Sequence, residues 1–500
     1  MNFFENIYLG FQIALNYNNL LFCFLGTLLG TLIGVLPGLG PAAAIALLLP
    51  STFRMTPIEA TIMIAGIYYG AMYGGSTTSI LLNIPGEAAS VVTCIEGHEM
   101  AKKGRGGAAL GISAIGSFFG GTVTIILILL LATPLSNFAL KFGPPEYFII
   151  MVLGMFLVVY LSQKSILKGL IMAGFGIGLG FIGMDLFTST IRFGFGVDTL
   201  SGGIPFVPML MGLFGISEVL ISIEKTKEHV VYGKKQVFKD LFPNLQEWIY
   251  SIKGILRGTI IGFMLGVLPG GGTIIASFAA YSLEKKYSKR SQMFGTGVIE
   301  GVAAPETANN AATTGAFIPL FILGIPTNVI MALLISSLII HGLQPGPTLI
   351  QEHPDLFWGT ISSMYIGNTM CLIFNFPLIG VWVKLLSVPY RLLFPLIVLF
   401  CAIGAYSVNN QIFDIFLMII FGILGYLFRK TEFDLAPMVL AFVLGPMLET
   451  ALRQSLTMSK IGFGIFVNRP IPLFMIAIMA LLIIMSAVPK IKKMREKAIQ

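Results

Sequence analysis

Gly34-Val35-Leu36-Pro37-Gly38-Leu39-Gly40 recurs 232 residues later as Gly266-Val267-Leu268-Pro269-Gly270-Gly271-Gly272, with six of seven residues unchanged. Each copy interrupts an apolar run. Proline removes a backbone donor and glycine tolerates left-handed backbone, so neither copy sits inside a continuous helix. A matched pair of Gly/Pro-broken apolar segments, one per half, is the best sequence pointer to the binding site of a secondary transporter.

The composition demands a membrane. The chain has 500 residues, 56% of them hydrophobic and only 11% charged. A soluble domain would carry roughly 25% charged residues. Apolar runs such as 112–131, 204–223 and 470–488 are each long enough to cross a bilayer, which takes about 20 residues. The fold class expected is an all-α polytopic membrane protein of about 10–12 spans. Residues 1–17 lack a basic region and contain Glu5, so no cleavable signal peptide is read there. The net charge of +8 is not a nucleic-acid signature, because Lys and Arg gather in loops and in the tail. Cys23, Cys94, Cys371 and Cys401 lack metal-like spacing and read as small apolar residues.

Positive charge orients the loops. Basic clusters occur at Lys102, Lys103 and Arg105; at Lys164 and Lys168; at Lys225, Lys227, Lys234, Lys235 and Lys239; and in EKKYSKR at 284–290. Further clusters lie at Lys384 and Arg391, at Arg429 and Lys430, and in the tail after Lys490. Segments near Pro134, 185–201, 341–355 and 408–411 carry few basic residues and read as external. Loop 449–469, with Arg453, Lys460 and Arg469, breaks the pattern. After the first glycine motif, 51–59 has only Arg54; after the second comes EKKYSKR. The matched loops differ in sign, as expected of two inverted-topology repeats with broken helices or re-entrant hairpins, an arrangement compatible with an elevator. The division expected is a first repeat at 18–223, a cytoplasmic connection at 224–253, a second repeat at 254–428, C-terminal spans at 429–489 and a basic cytoplasmic tail at 490–500.

A second pair of interruptions carries the polar chemistry. The first half reads YGGSTTSILLNIPGE from Tyr73 to Glu87, and the second reads APETANNAATTGAFIPLFILGIPTN from Ala304 to Asn328. Aligning Ile84-Pro85 with Ile325-Pro326 puts Gly74 opposite Gly315. Polar groups at membrane depth face a cavity or bind something, although Ser and Thr also pack helices together. The candidate substrate-binding residues are Gly38, Gly40, Ser76, Thr77, Thr78, Pro85, Gly86, Gly270, Gly272, Thr327 and Asn328. The candidate cation-coupling residues are Glu306, Asn309, Asn310, Thr313 and Thr314. Glu300 and Glu306 are the acids expected at depth. No Lys or Arg lies in the broken segments, so helix N-termini near Pro41, Thr273, Glu87 and Thr327 are expected to meet an anion. Asp185, Arg192 and Asp198 are expected to shape an external entrance or partner surface. Metal ligands and catalytic residues are not read from the sequence.

At GVLPGLGPAAAIALLLP, FGTGVIEGVAAPETANNAATTGAFIPLFILGIP and IGMDLFTSTIRFGFGVDTLSGGIPFVPMLMGLFGISEVL, the chain resembles the large permease subunit (TctA) of tripartite tricarboxylate transporters. The resemblance implies a multi-pass symporter of the bacterial inner membrane that imports tri- or dicarboxylates such as citrate with Na⁺ or H⁺. It further implies a small four-span membrane subunit and a periplasmic solute-binding protein as partners, with no cofactor beyond the coupling ion; a homodimer is left open. Thr327 departs from the Gly expected after Ile-Pro. No Walker loop, HExxH or Gly-x-Ser-x-Gly motif is found, which weighs against ATP hydrolysis and against an intramembrane hydrolase. A stand-alone carboxylate channel or exchanger is the second reading. Cation-dependent concentrative uptake, against passive flux or peptide cleavage, separates these classes.

Overall fold

The computed structural model describes residues 3–36, 40–161, 165–185, 187–224, 238–270, 272–385 and 390–487. Gly38, positions 225–237 of the expected connection and the basic tail lie outside the described residues.

Helix α1 (Tyr17–Val35) opens on Asn16, whose side chain accepts the Asn18 N–H, and stops at Leu36, one residue before Pro37. Pro41 starts the short α2 (Pro41–Leu48) at the position where a missing N–H is harmless. Helix α3 (Pro57–Leu82) begins in a Thr56/Glu59 capping box and ends on Asn83, left-handed at φ 58°. Then come α4 (Val91–Lys102) and the 34-residue α5 (Gly106–Ala139). The second half repeats this order. Helix α6 (Leu245–Gly266) starts in an Asn244/Glu247 capping box and is followed by α7 (Gly272–Tyr287). Helices α8 (Glu300–Gly315) and α9 (Phe317–Leu323) end on Gly324 at φ 69°. The series closes with α10 (Val329–Ile340) and α11 (Pro354–Asn375).

Packing reproduces the repeat more closely than the motifs do. Gly26, Gly30 and Gly34 of α1 lie against the backbone of Met63, Ile67 and Ala71 of α3. Gly258, Gly262 and Gly266 of α6, each 232 positions on, lie against Ala304, Ala308 and Ala312 of α8, each 241 positions on. At all six glycines the missing side chain lets two helices touch backbone to backbone, as small residues do between membrane helices. The left-handed stops Asn83 and Gly324 are also 241 apart. Helix α2 packs on α10 of the other half, and α7 packs on α4 and the turn before it.

The centre of the molecule is α3 and α8. Residues 60–82 of α3 are buried, and so is every residue of α8. Helix α7 runs back along α6, since Arg257 and Glu284 form an ion pair at 2.8 Å. Among the described residues, six helices are long and apolar enough to cross a membrane: Tyr17–Val35, Gly106–Ala139, Phe206–Glu224, Leu245–Gly266, Ile412–Lys430 and Leu435–Met458. The pair Gly462–Asn468 and Pro470–Leu481, bent by 85°, makes a seventh candidate, and four shorter apolar helices accompany them. Helix α3 has the length, about 39 Å, but its Tyr, Gly, Ser and Thr face protein rather than lipid. The protein is an all-α polytopic membrane protein.

The one two-stranded ribbon among the described residues, Gly183–Met184 with Ile191–Arg192, lies in the segment expected to be external. The anomalous stretch 449–469 is resolved here too. Its first part belongs to the helix Leu435–Met458 rather than to a loop. Arg453 pairs with Glu449 at 2.6 Å and Asp185 at 3.2 Å, and Arg469 pairs with Glu146 at 2.6 Å.

Candidate functional site

The broken ends of the repeats meet buried polar side chains. Residues Glu306, Asn309, Asn310 and Thr313 recur at the three- and four-residue spacing that places them on one face of α8. That face looks into the first half. The Glu306 carboxylate accepts hydroxyls from Ser76 of α3 and Thr93 of α4. Asn310 Nδ2 donates to Ser117 Oγ of α5 at 2.7 Å. Asn309 Nδ2 donates to Glu87 Oε1 at 3.0 Å. Glu87 Oε2 accepts the Ala89 N–H at 2.6 Å, capping the turn that leads into α4. Glu306 is 1% exposed and Glu87 8%. Among the described residues neither carboxylate has an ion pair with Lys or Arg, so hydroxyl, amide and backbone donors alone receive them.

The opposite end of the site carries the counterpart. Asn328 caps α10 by accepting the Met331 N–H at 3.0 Å and donates to the Tyr68 hydroxyl at 3.1 Å. The Thr327 carbonyl accepts the Gly270 N–H at 2.9 Å, linking the second glycine motif to the second Ile-Pro break. Gly270 has φ 108°, and a Cβ there would meet the backbone of Leu157 and Val158; only glycine fits without strain. Gly272 adjoins Leu265 and Gly266, whereas Gly40 borders open space. Gly86 lies directly against the Gly34 carbonyl and Gly75, and Pro85 precedes it at the break.

Several expected residues serve structure in this conformation. Thr78 Oγ1 donates to the Val35 carbonyl at 2.8 Å, satisfying an acceptor freed where α1 breaks. Thr313 Oγ1 bonds back to the Asn309 carbonyl at 2.9 Å. Thr77 and Thr314 are buried beside the cluster on α3 and α8. Glu300 differs from expectation: Arg290 and Ser288 hold it in an ion-paired network at the start of α8, so it is a braced structural acid. Glu87 also differs. Its carboxylate occupies the N-terminal amides that were expected to receive an anion, and a second carboxylate would be repelled there. Asp185 and Arg192 form an ion pair with Glu449 at hand, lining a small cleft with Phe181, Phe187 and Pro446.

Reading the motifs missed the Glu87 carboxylate as a member of the buried polar cluster, together with Tyr68, Thr93 and Ser117. The signal for Glu87 was present: the Ile-Pro alignment places it opposite Asn328. Thr93 and Ser117 sit in unremarkable helical sequence and are recruited only by packing.

The arrangement suits ion and solute binding rather than covalent catalysis, and known proteins agree. The model of the tripartite tricarboxylate transporter TctA family matches residues 20–440. The 52.8 kDa protein in the TAR-I ttuC' 3' region of Agrobacterium vitis is 48% identical over 497 residues, covering 99% of both chains. A protein in the TAR-II ttuC' 3' region of the same organism is 49% identical over 236 residues, 47% of this chain and 98% of its own length. No solved structure shows a significant match. A family match across most of the length, over a polytopic helical fold, identifies a transporter component and not an enzyme: the chain belongs to the tripartite tricarboxylate transporter TctA family.

Proposed function

We propose that this chain is the permease of a bacterial inner-membrane importer of tri- or dicarboxylates, driven by symport of Na⁺ or H⁺. It works with a small four-span membrane subunit and a periplasmic solute-binding protein. The observation that carries the reading is Glu306, a buried carboxylate of the second half held by hydroxyls of the first and unpaired with any Lys or Arg among the described residues. An uncompensated carboxylate at such depth calls for a cation. A cation bound where two halves meet supplies what import of an anion against its gradient requires, coupling of a downhill ion to the uphill solute.

The equivalent contacts at separations of 232 and 241 residues, with the unequal Lys/Arg content of matched loops, support inverted-topology repeats over 18–223 and 254–428. Between Arg257/Glu284 and the PGGG tip each leg of the α6/α7 hairpin is about 18 Å long, short of a hydrocarbon core of about 30 Å. That favours a re-entrant hairpin over a broken span. The substrate carboxylates meet the Asn328 end, where the buried Thr327 hydroxyl and the first turn of α10 lie without a competing acid.

The test is uptake of radiolabelled carboxylates into proteoliposomes holding this chain and its membrane partner, with binding protein added outside. Concentrative uptake that follows an imposed Na⁺ or pH gradient, and loses its cation dependence in Glu306→Gln, is the expected result. Downhill flux alone would replace the symporter with a channel.

A further inference from the structure

Glu87 is a carboxylate that the glycine and Thr/Asn motifs did not single out, and its surroundings are specific. It sits in the break of the first half, 241 positions before Asn328 of the second. Asn309 occupies the position equivalent to Tyr68. The contact Asn309–Glu87 is therefore the counterpart of Asn328–Tyr68, with the acid placed at one end only. The duplicated site is chemically unequal: a neutral amide caps α10, and a carboxylate caps the turn into α4.

A second, independent feature marks the acidic end. Asn309 is 1% exposed, and its Oδ1 has no hydrogen-bond partner. A buried unsatisfied amide oxygen is unfavourable by about 1–3 kcal/mol. With Glu87 ionised, as a bound cation keeps it, the amide does not turn over, because the exchange would press Oδ1 against the carboxylate. The oxygen thus stays beside Glu87, one helical turn from Glu306 on the same face of α8. Ser76 and Thr93 reach that carboxylate from the other half. Oxygen atoms from both repeats converge: two carboxylates, one unpartnered amide oxygen and hydroxyls, with no basic side chain paired to either acid among the described residues.

We infer that Glu87, Asn309 and Glu306 form a Na⁺ site spanning the two repeats, with Asn309 Oδ1 as a direct ligand. The inference rests on the symporter reading and narrows it. Within the ETANNAATT segment the ion is held at Glu306 and Asn309, while Asn310 ties α8 to Ser117 and Thr313 bonds back to the Asn309 carbonyl. The ion offsets the charge of two neighbouring carboxylates. Because its ligands come from α8 and from the break before α4, occupancy draws the halves together at the acidic end, and the substrate anion is left to the Asn328 end.

The purified full chain in detergent tests this without partner proteins or substrate. Na⁺ is titrated against choline at constant ionic strength, and both thermal melting and equilibrium binding of radioactive sodium are followed. The wild type gives a saturable response. Glu87→Gln and Asn309→Ala each weaken the apparent Na⁺ affinity by about tenfold or more. Where Glu87→Gln does not fold, Asn309→Ala decides, since it removes the unpartnered oxygen and leaves both acids. Affinities within about twofold of wild type in correctly folded variants overturn the site, even if Na⁺-driven uptake upholds the symporter. A wild type that ignores Na⁺ and responds to pH alone overturns the Na⁺ assignment and leaves proton-coupled import standing.

Discussion

Tyr68 and Asn309 stand 241 residues apart at equivalent positions, and each reaches across to the helix-start residue of the other half: Tyr68 to Asn328 at 3.1 Å, Asn309 to Glu87 at 3.0 Å. This exchange ties the two repeats together at their breaks. Tyr68→Phe leaves Asn328 Nδ2 with only the Thr327 hydroxyl at 3.5 Å. A buried donor so deprived is unfavourable by about 1–3 kcal/mol. The expected outcome is a lower melting temperature of the detergent-purified protein, with normal membrane insertion. Unchanged melting would mean that the exchange contributes nothing to holding the halves together.

The glycine rows predict a matched pair of defects. A Cβ at Gly30 would strike the Ile67 carbonyl, and one at Gly262 the Ala308 carbonyl. Backbone cannot retreat as a side-chain tip can, so overpacking of about 1–3 kcal/mol is expected for Ala and more for Val. Gly30→Val and Gly262→Val should lower the yield of monodisperse protein to a similar extent, measured by fluorescence-detected size exclusion. Gly40→Val, beside open space, should be tolerated in the same assay. A large difference between the first two variants would show that the rows are equivalent in position but not in load.

How much of this was legible is seen at particular residues. The paired breaks were, because Pro and Gly announce interruption in any apolar run. Glu306 was, because an acid among apolar residues is conspicuous. The glycine rows were written in the sequence at a spacing of four, yet Gly is so frequent in this chain, 57 residues, that no single one stands out until its partner helix is known. Glu300 and Glu306 look alike in sequence. They differ because Arg290, ten residues upstream, folds back onto Glu300 alone. The role of Glu87 needed the contact with Asn309, a relation between residues 222 apart that no local pattern encodes.

The proposed opposite orientation of the repeats makes a labelling prediction. Ser51, after α2, and Lys286, in the last turn of α7, are exposed and lie in matched segments, the first with a single Arg and the second strongly basic. In a background with partly exposed Cys94 replaced by Ser, a membrane-impermeant thiol reagent should modify Ser51→Cys in intact cells. Lys286→Cys should react only after permeabilisation. Equal reaction of both in intact cells would rule out inverted repeats.

The two-stranded ribbon should respond to acid. The Phe187 N–H and then the Arg192 guanidinium hold the Asp185 carboxyl below the usual aspartate range. A group whose pKa is lower folded than unfolded binds fewer protons in the folded state. Its stabilisation is present at neutral pH and fades as pH falls below about 4. Asp185→Asn should therefore melt below wild type at neutral pH, and the gap should narrow toward about pH 3. A gap independent of pH would assign the loss to packing alone.

Thr327 tests which end of the site reads the solute. Its side chain is buried, 1% exposed, and its carbonyl is fixed by the Gly270 N–H. The side chain therefore has little freedom to withdraw, and its hydroxyl adds both bulk and a hydrogen-bonding group beside the start of α10. A buried polar group that is matched by a substrate hydroxyl favours that substrate, and one left unmatched disfavours others, by amounts that reach several orders of magnitude in well-formed sites. Thr327→Gly should open space beside the start of α10 and reorder the inhibition of uptake by a panel of di- and tricarboxylates with and without hydroxyl groups. The cation dependence of uptake should stay as in wild type, since Glu87 and Glu306 are untouched. A variant with the wild-type order of inhibition would move substrate selection away from the Asn328 end, to the binding protein or to another part of the permease.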